Sequence, residues 1–321
     1  MPKYEYGNTE SNMAAELMWF RTCQDGTWMN SVDYPGMEQL RKPCRLLHHQ
    51  NPYLKLGPFK EEMHSDIPYS VVFHDILTDT EIDFLKEEST PKLSRTRVLK
   101  TRANNIAEIK SGARPRIISK TVQAWLPEVD WPVIKSFDDF QYVGKKFVKM
   151  NYPILWKLNK KISLATQLVT DSQTSSTKMQ VTNYGLAGLC EPHMDPFGVE
   201  TMSKKVVKES NPLLLYKGDM IATFMAWLAD TEAGGGTAYV YPSHEGIISP
   251  KKGAALFWYD LKSDLTKDET SYHAGCPVIK GSKWILNKWM YSYDNFKKFP
   301  CKLTEDERFS PPYIKHYHIN Y

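Results

Sequence analysis

The chain has 321 residues, 41% of them hydrophobic, enough for one or two domains with a sizeable core. Its 41 basic and 37 acidic residues leave a net charge of +4 and are interspersed, so no block of like charge marks a nucleic-acid tail. No run of 18 apolar residues crosses a membrane, and the opening MPKYEYGNTESNMAAELMWF lacks the basic start and apolar middle of a secretory leader.

Residues 1–66, with Gly, Pro, Asn and His and little periodicity, are expected to form an irregular extension with a short helix around Met13–Phe20. YSVVFHDIL then predicts a strand and TDTEIDFLKEES a helix. Thr78 and Glu81 open that helix as a capping box, each side chain serving an orphan N–H of the first turn. The basic stretch from Lys100 to Pro115 reads as a mobile loop. A helical zone follows over Val133–Leu168, with Leu155, Leu158, Ile162, Ala165 and Leu168 on one face at 3–4 spacing. After residue 178 the texture changes to short strand-like runs divided by turns: KMQVTNYG, MIATFMAWLAD, GTAYVYP, GAALFWYDL and KWILNKWMYSY. Helices followed by closely spaced strands predict an α+β chain with a β sandwich or barrel at its C-terminal side.

His193 and Asp195 are two apart, and residues i and i+2 of an extended segment point the same way. Together they offer two-thirds of the two-His-one-carboxylate set that suits Fe(II) and leaves coordination positions open. The third ligand has to come from another strand. His273, in SYHAGCP just before a further strand, is the first candidate, and His244 in the turn PSHEG is its competitor. His64 and Asp66 share the spacing but lack such company, and are expected in a solvated loop. On KWILNKWMYSY, Lys283, Ile285, Asn287, Trp289 and Tyr291 share a face. A lysine turned into a barrel there needs an anionic partner, because a buried lone charge is costly; a dicarboxylate cosubstrate would supply one. The five cysteines show no CxxC or Cys/His zinc spacing. Their count leaves both free thiols and two bridges open.

In order and spacing, NYGLAGLCEPHMDPF, IATFMAWLADTEAGGGTAYVYP, ISPKKGAALFWYDL and HAGCPVIKGSKWILNKW resemble the catalytic region of collagen-type prolyl 4-hydroxylase α subunits. PYLKLGPFKEE, FHDILTDTEIDFLKE and PKLSRTRV extend the resemblance over residues 50–302. It implies a double-stranded β-helix (jelly-roll) core packed against N-terminal helices. The dioxygenase domain then spans 67–302, helical over 67–177 and jelly-roll over 178–302, after the 1–66 extension and before a 303–321 tail. The implied activity is hydroxylation of peptidyl proline at C4 in proline-rich or collagen-like peptides, with Fe(II), 2-oxoglutarate, O2 and ascorbate.

By the same resemblance, His193, Asp195 and His273 are the iron ligands and Lys283 meets the distal carboxylate of 2-oxoglutarate. Tyr184 and Thr237 bind the same cosubstrate, Trp289 stands beside the active site, and Tyr291 lies near the cosubstrate. Cys276 with Cys301 matches a C-terminal disulfide and Cys23 with Cys44 an N-terminal one, which implies the endoplasmic reticulum lumen. A protein disulfide isomerase subunit or a homo-oligomer is the implied partner. Three positions depart from the family: Cys190 for tyrosine, Met220 for arginine and Tyr291 for histidine. The first two belong to the peptide groove, which leaves open an oxygenase acting on another peptide or side chain. A non-catalytic peptide-binding relative is the remaining alternative.

Overall fold

The computed structural model describes residues 44–49, 51–95, 118–126, 153–198, 214–241, 246–296 and 308–309, with Trp19, Cys23 and Lys298. In chain order the elements are β1 (Cys44–Leu47), α1 (Pro52–Leu56), β2 (Phe59–Asp66), β3 (Tyr69–His74), α2 (Asp79–Ser89), β4 (Ser94–Arg95) and β5 (Ile118–Trp125). They continue with α3 (Pro153–Thr166), β6 (Gln180–His193), α4 (Leu214–Lys217), β7 (Met220–Trp227), β8 (Ala233–Gly234), β9 (Thr237–Tyr239) and β10 (Gly246–Ile248). Last come β11 (Ala255–Tyr259), β12 (His273–Gly275), β13 (Val278–Lys280), β14 (Lys283–Tyr291) and α5 (Ser292–Asn295).

Twelve strands form one antiparallel sheet in the order β1-β2-β3-β11-β7-β14-β6-β12-β9-β10, with β5 also on β6 and β4 on β5. The long strand β6 makes the sheet curl. Its first half, Gln180–Tyr184, pairs with β14, and its end, Cys190–His193, pairs with β12. Between the two halves Ala187 has φ 57°, a left-handed conformation unusual for alanine, and the β5 register slips beside this segment. The chain therefore swings from one sheet half to the other inside one strand, which is the jelly-roll expected from the sequence.

Alternation sorts the side chains onto two faces. Ala255, Phe257 and Tyr259 of β11, with Ala222, Phe224 and Ala226 of β7, pack with the helices in one core. Leu256 and Trp258, with Met225 and Trp227, pack inside the curl with Tyr184, Tyr239 and Ile285. Helix α3 buries Leu155, Leu158, Ile162 and Ala165 completely, as its spacing predicts. Each large aliphatic so placed contributes on the order of 1.5–3 kcal/mol. The capping box of α2 is present: Thr78 N–H donates to Glu81 Oε2 at 2.8 Å and Glu81 N–H to Thr78 Oγ1 at 3.3 Å. Lys161 of α3 donates to the same Glu81 carboxylate at 2.7 Å, which ties the two helices together.

The structure corrects three expectations. Residues 44–66 are not irregular: β1 and β2 add two strands to the main sheet. His64 and Asp66 lie on β2 rather than in a loop, and the His64 ring stacks on Tyr239 at 6.0 Å. Cys276 is disulfide-bonded to Cys23, 253 residues away, so neither cysteine pairs with its sequence neighbour. The cause is packing. Trp19 and Cys23, four apart and both helical, sit on Ala238, Val240, Ala274 and Cys276. Cys44 is an exposed thiol and Cys190 a buried one. The expected loop over 100–115, the helical zone before residue 153, most of the Met13–Phe20 helix, His244 and Cys301 lie outside the described residues.

Candidate active site

The end of β6 and the start of β12 stand side by side, with His193 directly opposite His273. Asp195 follows two residues after His193, in a bend held from behind by Asp219. That carboxylate accepts from Phe197 N–H at 2.8 Å and Gly198 N–H at 2.6 Å. The two imidazole centroids are 4.3 Å apart. His193 Nε2 lies 3.5 Å from Asp195 Oδ1, and His273 Nε2 lies 3.8 Å from Asp195 Oδ2. Among the described residues this is the cluster able to hold a metal, with one ligand atom from each residue and all three within 4.8 Å of one another.

The hydrogen bonds fix the tautomers. His193 Nδ1 is 2.7 Å from the Glu191 carbonyl and His273 Nδ1 is 2.9 Å from the Ser271 carbonyl. A carbonyl only accepts, so each Nδ1 carries the proton and each Nε2 presents its lone pair toward Asp195. Burial opposes ionisation of Asp195, yet when the imidazoles are protonated their charges and the His193 hydrogen bond, with the Trp289 N–H, hold its carboxyl well below the usual range; with neutral imidazoles a bound cation would take over that part. Two imidazole lone pairs and one carboxylate form a facial set for a divalent first-row ion with coordination positions to spare. Ligand bonds near 2.1 Å place neighbouring donor atoms about 3 Å apart, so these atoms, up to 4.8 Å apart, would draw inward around a bound first-row ion.

Lys283 opens β14 opposite Tyr184 of β6. It is 2% exposed. Its ammonium donates to the Gly236 carbonyl and to Thr237 Oγ1, both at 3.3 Å, and stands 5.5 Å from the Tyr184 ring centre. Burial lowers its pKa to about 8. No carboxylate of the described residues pairs with it. Thr237 starts β9, whose Tyr239 faces His273 across β12. Thr237, which Lys283 meets, and Tyr239, which pairs with His273, are thus two residues apart on β9, about 6.6 Å along the strand.

The other expected site residues divide. Trp289 is brought to the site, but its Nε1–H donates to Asp195 Oδ2 at 2.8 Å, so it touches the acid of the triad directly. The shared face of β14 holds up to Trp289 and is interrupted by a register shift between Met290 and Tyr291. Tyr291 instead lies beneath the Lys217 ammonium at 5.2 Å. Cys190 packs opposite Gly275, where any added Cβ would come within 3.4 Å of the cysteine Cβ, and its Sγ is 3.7 Å from His193 Nδ1. Met220, at the start of β7, donates its backbone N–H to Asp219 Oδ1.

Sequence reasoning passed over Asp219, Thr223, Trp258 and Asp260. Thr223 Oγ1 lies 2.8 Å from Asp195 Oδ2 and 2.6 Å from Asp260 Oδ2. Burial and the Asp195 charge push the Asp260 carboxyl well above the usual range. A signal for both was present: Thr223 alternates with Met225 and Trp227, and Asp260 with Leu256 and Trp258, so each is a polar residue on an inward row.

A curled antiparallel sheet that sets two Nε2 lone pairs and a carboxylate around one point, with a buried ammonium on the adjoining strand β14, has the make-up of a jelly-roll non-haem metal site. Residues 179–291 match the model of the 2OG-Fe(II) oxygenase superfamily. Over 258 residues, 80% of its length, the chain is 34% identical to the prolyl 4-hydroxylase subunit alpha-2 of Gallus gallus and spans 40% of that protein. It is 33% identical to the human subunit alpha-1, spanning 41% of it. The chain thus spans about two-fifths of these relatives. Among solved structures it is similar to a viral collagen prolyl hydroxylase from Paramecium bursaria Chlorella virus-1 in a 2OG complex. That match has 20% identity and a TM-score of 0.43, and covers 70% of this chain and 97% of the viral one.

Proposed function

We propose that the chain hydroxylates peptidyl proline at C4 in proline-rich, X-Pro-Gly collagen-like sequences. His193, Asp195 and His273 would hold Fe(II), and Lys283, with Thr237 and Tyr184, would hold the distal carboxylate of 2-oxoglutarate. The observation that carries this reading is Lys283: a buried ammonium on the strand next to β6 that, among the described residues, meets a carbonyl, a hydroxyl, a ring and the Cys190 thiol but no carboxylate. A buried charge is stable only when paired, and a dicarboxylate supplies the missing anion. Fe(II), if bound there, would supply the oxidative chemistry, in which one oxygen atom of O2 would go to succinate, with loss of CO2 from 2-oxoglutarate, and the other to the proline ring.

The chain's own part is placement. The Glu191 and Ser271 carbonyls hold the imidazoles in the metal-binding tautomer, Trp289 and Thr223 steer Asp195, and the inward apolar face excludes water. Trp125, 45% exposed, packs on Trp289 with ring centres 6.1 Å apart. This places an accessible indole next to the residue that holds Asp195, and extended proline-rich peptides dock on aromatic surfaces of this kind. The Cys23–Cys276 bridge supports an oxidising compartment, the endoplasmic reticulum lumen. Ascorbate as reductant, and assembly with a protein disulfide isomerase subunit or with further copies, complete the proposal.

A second reading, the same chemistry on another peptide or side chain, draws on Cys190 and Met220 at groove positions. Succinate release decides between the two. Stimulation by (Pro-Pro-Gly) repeats together with formation of 4-hydroxyproline is expected. Equal stimulation by a proline-free peptide would favour the second reading, and no stimulated turnover with any peptide would leave a binding relative.

A further inference from the structure

Behind the candidate ligands lies a fully buried acid. Asp260 follows β11 on the inward row of Leu256 and Trp258. Its Oδ1 accepts from Trp258 Nε1–H at 2.7 Å, and its Oδ2 is 2.6 Å from Thr223 Oγ1. The same hydroxyl oxygen is 2.8 Å from Asp195 Oδ2. The Trp258 ring stands edge-on to His273 with centroids 4.8 Å apart. One acid thus reaches the supports of two of the three candidate ligands.

A hydroxyl carries one proton and an ionised carboxylate only accepts. Two carboxyl oxygens at bonding distance from one hydroxyl therefore require a second proton. Asp195 acts as a ligand in its ionised form, so the proton belongs to Asp260. Asp260 donates to Thr223, and Thr223 donates to Asp195. With Trp289 donating to the same oxygen, Oδ2 of Asp195 is doubly engaged and Oδ1 is left for the metal.

We propose that Asp260 is a positioning residue: a neutral buried acid that orients Asp195 through the Thr223 hydroxyl and braces His273 through the Trp258 indole. The inference rests on the metal-site reading above. Supporting groups of this kind shift metal affinity by about tenfold to a hundredfold when removed.

The test is titration of the full-length chain with Co(II), followed by its visible absorption, alongside melting of the metal-free protein. Thr223→Val is expected to raise the Co(II) dissociation constant about tenfold to a hundredfold and to change the bound-ion spectrum, with a modest fall in melting because the Asp260 O–H loses its acceptor. Asp260→Asn keeps a donor toward Thr223 and an acceptor toward Trp258, so its constant is expected to stay within about threefold of wild type. Asp260→Leu should weaken binding as Thr223→Val does, and should add little in the Thr223→Val background. Wild-type affinity in Thr223→Val, or a tenfold loss in Asp260→Asn, overturns the proposal. If Thr223→Val does not fold, equal constants for Asp260→Asn and Asp260→Leu overturn it. A wild-type chain that binds no Co(II) overturns the metal-site reading itself, and this proposal with it.

Discussion

A lysine buried with no carboxylate partner among the described residues carries a desolvation cost that a bound anion would relieve, and this makes Lys283 the informative residue of the site. Burial lowers its pKa to about 8. Its ammonium is therefore charged below that pH and neutral above it. The groups around it are the Tyr184 ring, the Thr237 hydroxyl, the Gly236 carbonyl and the Cys190 thiol. If the charged form holds the cosubstrate, the apparent dissociation constant for 2-oxoglutarate rises about tenfold per pH unit above about 8. Equilibrium titration across that range checks it, and a flat profile contradicts the assignment. His193 and Asp195 were singled out by spacing together with company: period 2 puts an imidazole and an acid on one side, and the His273 and Lys283 segments downstream set this pair apart from His64 and Asp66, which share the spacing. Thr223 and Asp260 were not recognised, since their role depends on a hydroxyl shared between two strands that sequence order keeps 37 residues apart.

At the scale of elements, strand alternation and helix spacing carried most of the fold. Helix α2 begins at its capping box, and the five inward leucine, isoleucine and alanine positions around α3 are buried as the 3–4 pattern requires. The strands of residues 44–66 escaped because short polar strands such as FKEEMHSD gain their stability from neighbours in the sheet rather than from their own composition. The glycine turn before β9 shows how an element sets the site. Gly234 has φ 72°, and a Cβ there would collide with the Pro277 carbonyl oxygen. The turn pairs β8 with β13 and delivers Gly236 and Thr237 to Lys283. Gly234→Ala is expected to cost about 1–3 kcal/mol, lowering the melting temperature and weakening 2-oxoglutarate binding together. Unchanged melting and binding would show that the turn does not set the pocket.

At the scale of the whole molecule, the Cys23–Cys276 bridge joins the N-terminal segment to the strand region that carries His273. The family resemblance implied Cys23 with Cys44 and Cys276 with Cys301. The pairing differs because folding brings Trp19 and Cys23 onto β9 and β12, beside Cys276. Peptide mapping without reductant is expected to recover a Cys23–Cys276 cross-link, and Cys44 should take up a thiol reagent before reduction. Recovery of a Cys276–Cys301 peptide instead would contradict the packing described. Removing a native bridge of this type costs about 2–5 kcal/mol, so Cys276→Ser should also lower the unfolding free energy measurably.

The central claim is that one pocket holds a metal through His193, Asp195 and His273 and a dicarboxylate through Lys283. Calorimetric titration of 2-oxoglutarate into the anaerobic Fe(II)-loaded chain tests it most directly. One site per chain is predicted, lost in His193→Ala. It should be weakened by about two to three orders of magnitude in Lys283→Ala, since breaking a buried ion pair costs about 3–5 kcal/mol. Equal binding with and without metal, or an unchanged constant in Lys283→Ala, would contradict the account.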